Sequence, residues 1–121
     1  MLKESDQKMA AAICHFSPFL GFGLLIPLGI WLWQKDHSEY VKRHSSQALM
    51  FHLFCIAITS VVATVGFGAS FMTAGLGLFI FVPVFFVMMG LMLIPSIIAG
   101  LKCLKGEDYS YPISGPYADR I

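Results

Sequence analysis

The sequence predicts an all-α, helical integral membrane protein with three spans in a single domain covering residues 1–121, and three observations carry that reading. Only 12% of the residues are charged while 57% are hydrophobic, against roughly 25% charged in an ordinary soluble domain. No Lys, Arg, Asp or Glu occurs from His44 to Leu101; because one crossing takes about 20 apolar residues, this run holds two helices and the turn joining them. A second uncharged run, Met9 to Gln34, holds one more crossing. A chain of 121 residues is too short to bury this much apolar surface within itself, which disfavours core helices of a soluble fold.

Taken in order, the elements follow from local chemistry. Ser5 or Asp6 can cap a helix whose apolar interior begins at Met9, each offering a side-chain oxygen to a free backbone N–H of the first turn. The first span is expected over 9–33. Pro18 and Pro27 each remove a backbone donor and kink it, and Gly21 and Gly23 loosen its middle. As one bent helix it reaches roughly 37 Å, long enough to cross. Split near Gly21 to Gly23, it gives two arms of about 15 Å that enter the membrane and return. Length favours the single kinked span. Trp31 and Trp33 suit the headgroup region where this segment meets charge. Residues 34–46, QKDHSEYVKRHSS, read as a polar cytoplasmic loop, 47–66 as the second span and 66–75, rich in glycine, as an uncharged turn. The third span is expected over 76–101, where Pro83 and Pro95 are tolerated if neighbouring groups satisfy the freed carbonyls. The tail, 102–121, is charged and extramembrane.

The distribution of basic residues pulls against the length argument. With three spans, the first loop and the tail carry Lys35, Lys42, Arg43, Lys102, Lys105 and Arg120, while Lys3 and Lys8 fall on the other side. The split places all 8 basic residues on the cytoplasmic side, as the positive-inside rule prefers.

Several chemistries are disfavoured. A net charge of +1 gives no electrostatic footprint for nucleic acid. The N-terminus does not read as a secretory signal, since Glu4 and Asp6 dilute its basic region and Ala10 to Ala12 precede the apolar stretch. The 3 cysteines, Cys14, Cys55 and Cys103, are widely spaced and read as small apolar fillers. His44 and His52 stand two helical turns apart, too far along one helix to share an ion. His52 and Cys55 are neighbours at i, i+3, and Cys14 with His15 is the only other close pair, so packed side chains are favoured over a metal site. Neither Ser17 nor Ser96 sits in a G-x-S-x-G turn. The expectation is no enzyme, no cofactor and no metal. Ion and proton pathways usually carry ionisable groups, and within the spans only His15 and His52 could serve.

Two sets of residues stand out as interfaces. At 100° per residue, Ala48, His52, Cys55, Thr59, Ala63 and Gly66 fall within an arc of about 80°, opposite Met50, Phe54, Val61 and Val65. Such a stripe of small and weakly polar side chains lets helix backbones approach in lipid. It is expected to pack on the first or third span, with Ser96 and Gly100 as the matching small residues of the latter, or to grip a partner. The second set comprises His44 and Gln47 at the head of the second span with Lys105, Gly106, Glu107 and Tyr109 of the tail. Lys105 suits a helix C-terminus, Gly106 a C-cap and Tyr109 the membrane interface.

The order of the short motifs, CHFSPFLG (14–21), IPLGIWLWQKDHSEYV (26–41), HSSQALMFH (44–52) and LKGEDYSYP (104–112), resembles a family of small bacterial and archaeal membrane proteins distantly related to the chloroplast inner-envelope protein-import component, the Tic twenty-like proteins. Met50 and His52 stand where that family usually has Asn and Gln. The resemblance implies an accessory or scaffold subunit for other membrane proteins in a translocation task. A small homo-oligomeric channel or transporter, and a membrane immunity or stress protein, are the alternative expectations. Expected partners are membrane lipids and a membrane protein or further copies of the chain, in the bacterial cytoplasmic membrane as a multi-pass protein.

Overall fold

A computed structural model describes residues 2–20, 23–112 and 114–120. Among them the order is α1 (Glu4–Phe16), a 3-10 turn (Ser17–Leu20), α2 (Leu25–Gln34), α3 (Glu39–Met72), α4 (Leu78–Leu104) and a short α5 (Gly115–Ala118). Two helices dominate. With 34 and 27 residues, α3 and α4 extend roughly 51 and 40 Å at about 1.5 Å per residue, and each is long and apolar enough to cross a membrane. In their most apolar windows only 11% and 0% of the residues are buried, so these are not the core helices of a soluble fold. Large side chains such as Phe71, Phe79, Ile80 and Phe86 stand exposed along the hairpin, as lipid-facing residues would.

The segment 9–33, expected as one bent helix with a split as its rival, is divided. α1 stops at Phe16 and α2 starts afresh at Leu25. Pro18 falls inside the 3-10 turn, where a missing N–H and a fixed φ cost little. Both short helices lie against the head of α3, and α1 also lies against the foot of α4. The polar loop expected over 34–46 is likewise shorter, reduced to residues 35–38. Ser38 caps α3, its Oγ accepting the Val41 N–H at 3.2 Å and donating to Gln7 Oε1 at 2.8 Å. Glu39 in the first turn complements the helix dipole, so helix begins well before the apolar run.

At the far end α3 continues to Met72, past the Gly66 where a turn was expected. A backbone without water must satisfy itself by staying helical, and Ser70 Oγ donates to the Gly66 carbonyl at 2.7 Å. The reversal is confined to residues 73–77. Ala74 (φ 56°) and Gly75 (φ 90°) adopt left-handed conformations there, and Thr73 Oγ1 accepts the Gly77 N–H at 2.9 Å.

Candidate functional site

Almost everything the chain buries lies at one end of the hairpin. Ala11 and Ala12 of α1 pack with Cys103 of α4, flanked by Phe16 and Tyr40. Alanines allow close helix approach, and so does Gly100, where a Cβ would clash with the Phe16 ring. Gly100 therefore faces α1, not α3 as its pairing with the α3 stripe would require. We call this end, built from α1, α2, the head of α3, the foot of α4 and the tail, the base.

Its centre is polar. His15, His44, Ser45, Gln47 and Tyr111 are all buried, and buried polar groups need partners. His15 Nδ1 lies 2.7 Å from the Tyr111 hydroxyl. His15 Nε2 lies 3.1 Å from His44 Nδ1, and Cys103 Sγ lies 3.2 Å from that same nitrogen. On its outer side His44 Nε2 sits 3.5 Å from Asp108 Oδ1, and the same carboxylate meets Arg43 at 3.6 Å. The Tyr40 ring lies against His44 with centroids 4.6 Å apart. Burial pushes the Tyr111 phenol well above its usual pKa, so it stays a neutral O–H. His15, His44 and Cys103 are the residues placed to hold a metal, their ligand atoms all within 4.8 Å of one another.

The sequence reading paired these residues differently. Local spacing sets His44 against His52 and Cys14 against His15, and leaves Cys103 as an apolar filler. His52 in fact serves the N-terminal segment: its Nδ1 lies 2.5 Å from the Gly23 carbonyl and 3.4 Å from Ser17 Oγ. His15 and His44 are 29 positions apart, and His44 and Cys103 are 59 apart. No local spacing rule reaches that far.

The tail closes the base through Gln47. Its Nε2 donates to the Gly115 carbonyl and to Asp119 Oδ1, both at 3.1 Å, and its Oε1 accepts the Tyr111 N–H at 3.2 Å. Phe51 stacks on Tyr111 with centroids 4.0 Å apart. The chain turns out of α4 at Gly106 (φ 77°), with Glu107 N–H donating to the Lys102 carbonyl at 2.9 Å and Gly106 N–H to Cys103 at 3.0 Å. This is a Schellman cap, which glycine accommodates without strain. The exposed Lys105 occupies the C-cap of α4. Tyr109 lies under the Lys102 ammonium, 5.6 Å from ring to nitrogen.

The stripe on α3 runs from the base toward the turn. Ala48 and His52 are buried, and Cys55, Thr59, Ala63 and Gly66 half-buried. Thr59 Oγ1 lies 3.9 Å from the sulfurs of Met89 and Met92 on α4, and a Cβ on Gly66 would clash with the Phe81 ring. Its upper half therefore faces α4, and its lower half, at His52, the N-terminal segment.

A hairpin of two long, lipid-suited helices closed at one end by a polar base defines a small helical membrane protein. Over residues 6–118 the chain matches the model of the MamF/MmsF family, the magnetosome magnetite crystal formation proteins, and it belongs to that family. No curated protein and no solved structure matches it. The family match corrects the resemblance to the Tic twenty-like proteins and the functions expected beside it, namely translocation accessory, channel or transporter, and immunity or stress protein. The short motifs behind that resemblance mostly mark helix ends: the Ser38 cap, the Gly106 cap and the buried head of α3. Helix ends of this kind serve any small membrane hairpin that folds its termini onto a base.

Proposed function

We propose that the protein acts in magnetite crystal formation from within the magnetosome membrane, as a two-span hairpin whose N-terminal helices re-enter instead of making a third crossing. The observation that carries this reading is the family match across residues 6–118, which takes in both hairpin and base. Helix lengths support the topology. At 13 and 10 residues, α1 and α2 reach roughly 20 and 15 Å, short of the ~30 Å hydrocarbon core. The hydrogen bond between Gln7 and Ser38 sets the start of α1 level with the start of α3. The His52 contact with Gly23 sets its tip roughly 20 Å higher along α3. All 8 basic residues then belong to the base, which the positive-inside rule assigns to the cytoplasm, leaving the uncharged turn at 73–77 toward the compartment interior. The protein works by binding, not catalysis, with lipid around the hairpin and a membrane-protein partner or further copies as neighbours.

Deleting the gene in a magnetite-forming host and measuring crystals by electron microscopy tests the role. Altered crystal size or number, restored by the intact gene, is the expected result. Unchanged crystals, or a fluorescent fusion that stays away from the magnetosomes, would refute it.

A further inference from the structure

Three ligand atoms from three helices converge at the centre of the base. His15 Nε2 and Cys103 Sγ lie 3.1 and 3.2 Å from His44 Nδ1, and all three side chains are fully buried. We propose that His15, His44 and Cys103 bind a divalent first-row transition-metal ion that clamps α1 to α3 and α4. The proposal stands on this geometry and does not depend on the crystal-formation role.

The two contacts with His44 come close to the edges of a coordination tetrahedron. Imidazole nitrogens at about 2.0–2.1 Å and a thiolate at about 2.3 Å from a tetrahedral ion lie roughly 3.3–3.6 Å from one another. The two edges at His44 are a few tenths of an ångström shorter, and the third, from His15 to Cys103, lies within 4.8 Å, so seating an ion spreads the first two slightly and draws His15 and Cys103 together.

Orientation is supplied from outside the cluster. Asp108 lies beside His44 Nε2 and favours the tautomer with its proton there, which leaves Nδ1 bare toward the centre. The Tyr111 hydroxyl lies 2.7 Å from His15 Nδ1; by accepting a hydrogen bond from an Nδ1–H it favours the tautomer that leaves Nε2 bare as well. A carboxylate or hydroxyl behind each ligating imidazole is the arrangement that fixes tautomer and ring angle in metal sites.

Two imidazoles and a thiolate select Fe(II), Co(II) or Zn(II) over Mg(II) and Ca(II), which take oxygen ligands. On binding, Cys103 releases its thiol proton, and the thiolate together with Asp108 balances the charge of the dication. Three protein ligands leave one coordination position for water or a further donor.

The test uses the full-length protein in detergent, stripped by a chelator and titrated with Co(II). One equivalent is expected to bind, with the near-ultraviolet thiolate-to-cobalt charge-transfer band and the intense visible bands of a four-coordinate ion. Cys103→Ser should abolish the charge-transfer band and Cys55→Ser should keep it. Asp108→Asn, which leaves the ligands in place, should weaken binding about tenfold. Zn(II), and Fe(II) under anaerobic conditions, should displace the cobalt, and metal should protect α1 from proteolysis. A wild-type protein that shows no thiolate band on saturation with Co(II) overturns the proposal whatever the variants do. So does a band that persists in Cys103→Ser.

Discussion

Replacing Gln47 by alanine isolates the contact that holds the tail on the base. The side chain makes two bonds to buried backbone, donating to the Gly115 carbonyl and accepting from the Tyr111 N–H, and a third to Asp119. Its loss strands the buried Tyr111 N–H, at about 1–3 kcal/mol, while the Gly115 carbonyl keeps the Asp119 N–H at 3.1 Å and loses one of its two bonds, at about 0.5–1.5 kcal/mol. Asp119 is exposed, so water replaces the third bond and it contributes little. The sum is about 1.5–4.5 kcal/mol, which shifts tail docking by roughly ten- to two-thousand-fold. Stacking of Phe51 on Tyr111 survives the substitution and retains about 0.5–1.5 kcal/mol, so the tail is loosened and not cut free. Hydrogen exchange in detergent or nanodiscs reads this directly, because local opening sets the protection of each amide. Amides over 111–120 should lose protection in Gln47→Ala while those of the α3–α4 hairpin keep theirs. Unchanged tail protection would refute the reasoning, and equal loss throughout the hairpin would show that Gln47 supports the whole fold.

Two further outcomes follow from the hairpin. Gly66→Ala drives a Cβ into the Phe81 ring, whereas at Gly68 nothing lies within 4 Å. The first should lower thermal stability in detergent by about 1–3 kcal/mol through overpacking. Gly68→Ala should be neutral or stabilising by up to about 1 kcal/mol through helix propensity, and equal midpoints would contradict the close α3–α4 contact. For topology, cysteines introduced at Lys3, Asp36 and Glu107, in a background with the 3 native cysteines changed to serine, should be labelled from one side of sealed vesicles. A cysteine at Leu76 should be labelled from the other. Labelling of position 3 together with position 76 would restore the single kinked first span.

Composition alone was enough to read the hairpin. An uncharged run from His44 to Leu101 needs no particular partner in order to be buried, because lipid covers any apolar surface, and the helices α3 and α4 occupy most of it. Local chemistry likewise announced the Gly106 cap, since backbone conformation and residue type are linked within a few positions. The same locality is why the short motifs misled on family: helix-end signals report where helices stop, not which lineage they come from.

Tertiary structure decided the rest. Length and charge gave opposite answers for residues 9–33, and in the tertiary structure helix breaks between Phe16 and Leu25 while Ala11 and Ala12 pack against Cys103, an arrangement that no local spacing foretells. The pairing of His15 with His44 and Cys103 was equally out of reach. Each residue taken singly looks like core filler or a helix-head histidine. They become a site only because α1 folds back into the hairpin, bringing together atoms that the sequence separates by 29 and 59 positions, and periodicity along one helix carries no information about which other helix it will meet.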